Sequence, residues 1–318
     1  MVWRSVVISQ PAKLKREHFS LVIEQSQSAR VPFEDIAVIV LNNREITITH
    51  PVLSACAEYG IGLYSTGDNH QPNGVFLPFL SHGRATRMMR LQLKLDKPQA
   101  KRAWAEIVKS KISNQAVCLK MAFPSPQPSP KGRGSVSVAD VERLGSYASR
   151  VRSGDVENME AQASSYYFPQ LFGKGFHRAQ DCWVNAALDY GYAIIRGAIT
   201  RGLVAHGFQP NIGLFHRSEQ NAFNLADDLI EPYRALVDLH VFSHLNPHAP
   251  KDAELTPTDK VALVALLNVD VRMPRGNTSV LHSIEQAVES LVRLFEGADE
   301  TVLELPTLIG LGQHEFEM

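Results

Sequence analysis

The sequence predicts an α+β fold, with a small N-terminal β-rich, sandwich-like domain over residues 1–80 and a larger all-α domain over 81–318. Three observations carry this reading. β-branched runs broken by turn signals fill the first eighty residues. Apolar residues recur at helical spacing beyond residue 83. The composition, 44% hydrophobic and 20% charged over 318 residues, is that of a globular chain able to bury a sizeable core.

Taken in order, Val2 to Ile8 is rich in β-branched residues, and His18 to Glu24 continues the pattern. Ile36 to Leu41 is an apolar strand ending at the turn signal Asn42-Asn43. Ile46 and Ile48 alternate with Thr47 and Thr49, as in a half-buried strand. Pro51 to Tyr59 reads as a short helix with Leu53, Cys56 and Ala57 on one face, and Ile61 to Tyr64 as another strand before the turn-rich stretch Gly67 to Gly74. Helical spacing then sets in with Met88, Leu91 and Leu95, followed by Trp104, Ile107 and Val108, and long helices are expected to about residue 297. Gln180 to His206 forms a central helix, where Gly191, between Tyr190 and Tyr192, is suited to close helix approach. Pro124, Pro126, Pro128 and Pro130 exclude helix from 124–135, a solvated, flexible segment.

A net charge of −1 gives no pointer to nucleic acid, but its distribution does. Between Arg84 and Lys111 nine basic residues face only two acidic ones, a pattern that suits either a phosphate-binding surface or a solvated helix face. No apolar run approaches the roughly 20 residues that span a bilayer, so no membrane role is expected. The start lacks the apolar stretch of a secretory signal, and Cys56, Cys118 and Cys182 read as reduced core residues of a cytoplasmic protein.

Three places hold metal-ligand residue types. After Gly154, Asp155 is suited to capping a helix whose first turns carry Glu160 among the small residues Ala161, Ala163 and Ser164. Glu160 fits a ligand with room beside it, or a charge serving the helix dipole. Pro210 and Gly213 precede His216, either a structural histidine or a ligand. Asp228 and Glu231, three residues apart, share a helix face, while Asp227 turns towards solvent and Arg234 stands where it can orient Glu231. Together they offer two carboxylates and an imidazole, a hard set suited to Mg²⁺ or Mn²⁺ rather than structural zinc.

The stretches MEAQASSYYF, DCWVNAALDYGYAIIRGAI and GFQPNIGLFHRSEQNAFNLADDLIEPYRALVD resemble the CRISPR-associated integrase family, Cas1, over roughly residues 140 to 240. The FN-x-ADDLIEPYR wording is closest to members from type II systems, which accompany the RNA-guided nuclease Cas9. The resemblance implies that Glu160, His216 and Glu231 are the catalytic metal ligands, with Asp228 and Arg234 supporting them. It also implies a homodimer joined largely through its β-rich lobe, assembly with a dimer of Cas2, association with Cas9, and binding of duplex prespacer DNA and the CRISPR repeat. The expected reaction joins each prespacer 3′-hydroxyl to a repeat strand by transesterification. Arg84, Arg87 and Arg90 are expected to line the DNA path.

Two departures stand out. The proline-rich stretch matches no family feature, and Glu219 stands where some relatives carry a basic residue three places after the histidine, leaving Arg217 as a substitute DNA contact. Three rivals remain: a general structure-selective metal-dependent DNA nuclease, an idle DNA-binding scaffold, and a transposon-borne integrase of the same superfamily.

Overall fold

The computed structural model describes residues 4–67, 72–78, 83–124, 136–244, 254–297 and 302–314. The proline-rich segment 124–135, apart from Pro124, lies outside the described residues.

Two four-stranded sheets open the chain. The first runs β1 (Arg4–Ile8), β5 (Ile36–Leu41), β7 (Gly62–Thr66), β8 (Pro72–Phe76), with β1, β5 and β7 parallel and β8 antiparallel to β7. The second runs β4 (Ala29–Pro32), β3 (Ser20–Glu24), β2 (Ala12–Glu17), β6 (Ile46–Ile48). Helix α1 (His50–Glu58) joins their shared core, where Val52, Ala55 and Cys56 meet Ile8, Leu14, Leu21 and Ile39. The apolar strand expected at Ile36–Leu41 is therefore found as β5, and the short helix as α1. The strands β2, β4 and β8 went unread: β2 and β4 are short and charged, and β8 lies in sequence that reads as turn.

The unbroken apolar run of β5 has a physical cause. Ile36 and Ile39 enter the core beneath α1, whereas Ala37, Val38 and Val40 enter the larger helical core. A parallel strand covered on both faces has no solvent side to carry polar residues.

Nine helices follow among the described residues: α2 (Ala85–Lys94), α3 (Lys97–Ala122), α4 (Val138–Arg150), α5 (Met159–Phe172), α6 (Trp183–Ala205), α7 (Asn224–Ile230), α8 (Arg234–Ser243), α9 (Pro257–Ala265) and α10 (Val280–Phe295). The 26-residue α3 starts at Asp96, whose carboxylate accepts from Gln99 N at 2.6 Å, and it packs against α4, α5, α8 and the turn after α7. Among the described residues no helix is long and apolar enough to cross a membrane.

The all-α expectation for this part needs one correction. Strands β9 (Val269–Met273), β10 (Gly276–Ser279) and β11 (Thr307–Gln313) form an antiparallel sheet in the order β10-β9-β11. The alternating burial of β9 is the period-two signal of a strand, and it had been absorbed into an expected helical run.

Helix α6 ties the parts together. Arg201 donates from Nε to Gly60 O at 2.7 Å and pairs through Nη1 with Glu285 at 2.9 Å, linking the turn before β7 to α10. Gly191 serves the close approach expected of it: a Cβ there would lie 2.5 Å from Val237 Cγ1 on α8, a fully buried side chain. We expect Gly191→Val to overpack this contact and cost on the order of 3 kcal/mol, read as a lower urea midpoint with unchanged slope. A midpoint equal to that of the parent would show that α6 and α8 can separate freely.

Candidate metal centre

The site is assembled from α3, the start of α5, the loop 211–218 and the short 3₁₀ turn Glu231–Tyr233. Asp155 fixes the start of α5. Its φ of +48° follows Gly154 at +78°, and its carboxylate accepts from Met159 N at 2.9 Å and Glu160 N at 3.0 Å. The capping role expected of Asp155 is thus present, and it sets where Glu160 leaves the helix. Ser164, one turn on, donates to Glu160 Oε1 at 3.1 Å.

Glu231 reaches the same place from the other side. Arg234 Nε donates to its Oε1 at 3.0 Å, as the three-residue spacing implied. Asn114 on α3 donates to Pro232 O at 2.7 Å, fixing the turn that carries Glu231. Burial alone would push the Glu231 carboxyl up, but Arg234 and Lys111 outweigh it and hold it down to about 2.

Between the two carboxylates sits Lys111. Its ammonium lies 2.5 Å from Glu231 Oε2 and also contacts Glu160 Oε1, while its side chain is only 8% exposed. Among the described residues Glu231 Oε2 has no other polar partner. Burial opposes the lysine charge, yet Glu231 and Glu160 overcome it and raise the Lys111 pKa above its ordinary value.

His216 is held by Asp228. That fully buried carboxylate accepts from the backbone N–H groups of Leu214, Phe215 and His216 at 2.6, 3.1 and 3.1 Å, and lies 2.7 Å from His216 Nδ1. In the neutral ring, an Nδ1–H donated to Asp228 leaves the lone pair on Nε2, the arrangement common behind metal-bound histidines. Gly213 makes the tight loop feasible, since a Cβ there would stand 2.4 Å from His216 O and 2.8 Å from Asp228 Oδ2. Trp104 of α3 stacks flat on Phe215 at 4.2 Å and meets the His216 ring edge-on at 5.7 Å.

Glu160 and Glu231 therefore converge on one positive centre, and His216 lies within electrostatic reach of Glu231. Their chemistry fits a hard divalent cation, because two carboxylate oxygens already share one ionic partner. The space between them is filled by the chain's own ammonium. Among the described residues no three His, Cys, Asp or Glu side chains stand gathered about a common point as a bound ion would hold them.

Outside this centre, Arg84, Arg87, Arg90 and Arg217 are all exposed, with Arg87 paired to Glu296 at 2.9 Å. Asp227 is not turned to solvent as its helical position suggested: it accepts from Asn221 at 2.7 Å and pairs with Arg196 at 3.6 Å. Cys56 and Cys118 are buried and free, while Cys182 is free and only half-buried at the head of α6.

Residues 5–272 match the family model described as CRISPR associated protein Cas1, which places the chain among CRISPR-associated proteins. It is 41% identical to the CRISPR-associated endonuclease Cas1 of Neisseria meningitidis serogroup C (strain 8013) over 318 residues, all of both chains. The chain belongs to the Cas1 family. Its fold is shared by a casposase bound to integration product (TM-score 0.70, 16% identity, 94% of this chain and 92% of that one). It is also shared by a chain of a partial Cas6-RT-Cas1–Cas2 complex (TM-score 0.60, 16% identity, 95% and 98%).

Sequence reasoning missed Lys111 and Asn114. Lys111 was counted with the basic surface run, but Trp104, Val108, Lys111, Gln115 and Cys118 follow the 3-4 spacing of a buried helix stripe. A lysine within such a stripe is the signal that was available. Asn114 gave no comparable signal, because its partners, Pro232 O, Pro306 O and Leu308 N, lie far along the chain.

Behind the centre lies a further buried acid. Asp238 is within 3.0 Å of the Tyr167 hydroxyl and accepts from Tyr192, whose ring carries the Arg234 guanidinium 4.6 Å from its centre. Burial pushes the Asp238 carboxyl up to about 6, against the hydroxyls that favour its charge. A carboxyl raised in the fold stabilises below its ordinary value of 3.8, and that contribution disappears as pH rises through 6. We expect the stability of the parent relative to Asp238→Asn to fall by about 2 kcal/mol between pH 4 and pH 7, measured by urea unfolding. A difference that does not change with pH would refute the assignment.

Proposed function

We propose that this protein is the integrase of CRISPR adaptation, joining prespacer 3′-hydroxyl ends to the repeat in the cytoplasm. The observation that carries the reading is the meeting of Glu160 and Glu231 on one positive centre, in a chain of the Cas1 family. In the proposed reaction the prespacer 3′ oxygen attacks a repeat phosphorus. A new P–O bond forms, the bond to the repeat's 3′ oxygen breaks, the attacking hydroxyl loses its proton and the departing oxygen gains one. Glu160, His216 and Glu231 would hold Mg²⁺ or Mn²⁺. When bound, such an ion polarises the phosphodiester and acidifies the attacking hydroxyl.

The surrounding residues act through these three. Asp228 fixes the His216 ring and the loop carrying it, and Arg234 orients Glu231. The exposed Arg84, Arg87, Arg90 and Arg217 are assigned sequence-independent phosphate contacts. We assign a homodimer that assembles with Cas2, supported by the shared fold of a chain in a Cas1–Cas2 complex, and association with Cas9.

The rival reading of a structure-selective nuclease predicts cutting of branched DNA without any joining. The transposon-borne reading has a structural likeness in the casposase, but 41% identity across a whole Cas1 chain favours the CRISPR role.

A labelled duplex, a repeat-bearing plasmid and the Cas2 partner provide the test. Glu160→Ala is expected to lower joining on the order of 10³-fold, the usual scale for losing a preorganised electrostatic group. Chelation of divalent ions should have the same effect on the parent protein. Near-normal joining by the variant would remove Glu160 from the centre, and branched-DNA cleavage with no joined product would favour the nuclease.

A further inference from the structure

We propose that Lys111 is a resident cation that holds Glu160 and Glu231 together and must be displaced before a divalent ion can enter. The proposal deepens the functional reading above and rests on its assignment of the two carboxylates as ligands.

The charges at the centre already balance. Glu160 and Glu231 contribute two negative charges, while Lys111, bonded to both, and Arg234, bonded to Glu231, contribute two positive ones. Removing any one member would leave a charge without its partner in a site where Glu231 is 6% exposed and Lys111 7%. The centre is thus a charge-balanced set rather than an excess of acid.

Geometry makes the two occupants exclusive. The ammonium stands 2.5 Å from Glu231 Oε2 and in contact with Glu160 Oε1, in the space where an ion shared by both carboxylates would sit. Mg²⁺ bonds carboxylate oxygen at about 2.0–2.1 Å, so it and Nζ would overlap. The two cations would also repel each other at such short range. Lysine suits the part of a removable plug, because its charge sits on a flexible four-carbon stem, whereas the planar Arg234 fork is stacked on Tyr192 at 4.6 Å.

Displacement has a thermodynamic consequence. The free energy of the Lys111 contacts is subtracted from that of metal binding, so apparent affinity is lower than the carboxylates alone would give. A DNA phosphate arriving with the metal adds negative charge and offsets the surplus. The centre would therefore take up metal most readily when substrate is present.

The test compares the full-length protein with Lys111→Met, which keeps the stem and removes the charge. Calorimetric titration with MnCl₂ is expected to show about tenfold or greater tightening in the variant, since a competing internal cation is gone. The metal-free variant should melt below the parent and gain more from Mn²⁺ than the parent does. Affinity equal to or weaker than that of the parent would overturn the proposal. A second measurement uses the parent alone, so it does not depend on the variant folding: the ¹⁵N signal of the Lys111 ammonium should move on titration with Mg²⁺. A signal that stays in place while calorimetry reports binding would also overturn it. Absence of Mn²⁺ binding in both proteins would instead sink the underlying assignment of the carboxylates as ligands.

Discussion

Two carboxylates from different parts of the chain share a single buried ammonium, and the local architecture is arranged around that cluster. Glu160 enters from the first turn of α5, Glu231 from the turn after α7, and Lys111 from the middle of α3. Buried ion clusters gain little net stability, because desolvation offsets much of the attraction. Their geometry nevertheless has to be excellent, and every neighbour here restrains it. Asp155 fixes the start of α5, Asn114 fixes the Pro232 carbonyl, and Arg234 fixes the second oxygen of Glu231. Stability spent on charge burial is recovered elsewhere, in the apolar core that α6 runs through.

Helix α3 coordinates these restraints. One face presents Trp104 to Phe215 and His216, Lys111 to the carboxylates, Asn114 to Pro232 and β11, and Cys118 to Tyr167. A shift of α3 by a fraction of a turn would move all four contacts together. Asp228 does comparable work for the histidine loop, since one carboxylate satisfies three backbone donors and an imidazole. Gly213 is what lets the loop wrap that tightly.

Much of this was legible in the sequence where the relevant signal is local. The β5 run and the amphipathic stripes follow from periodicity, and the Asp155 cap and the Glu231–Arg234 pair follow from spacing within a turn. What could not be read is long-range. Asp238 is 71 residues from Tyr167 and 46 from Tyr192, separations at which no periodicity operates. Strands β9 to β11 were hidden for a related reason: β11 pairs with β9 across α10, so neither strand announces the sheet alone. Lys111 is the intermediate case. Its place on a buried stripe was readable, but the basic residues around it suggested a surface.

The β-rich sheets and this centre share one packed core, which bears on what the fold can transmit. Val38, Val40 and Tyr64 of the first sheet belong to the same core as Tyr167, Ile194 and Leu229. Tyr64 packs so closely on α6 that a Cβ at Gly197 would fall 2.4 Å from its ring, and Arg201 bonds the turn before β7 to α10. Cores of this density behave as solid bodies and carry displacement rather than absorb it. A second copy seated on the β-rich sheets would then set the position of its own carboxylate pair relative to this one without slack. In the proposed homodimer, joining both ends of one duplex would require two centres at a fixed separation, and the continuous core would be the physical means of keeping it.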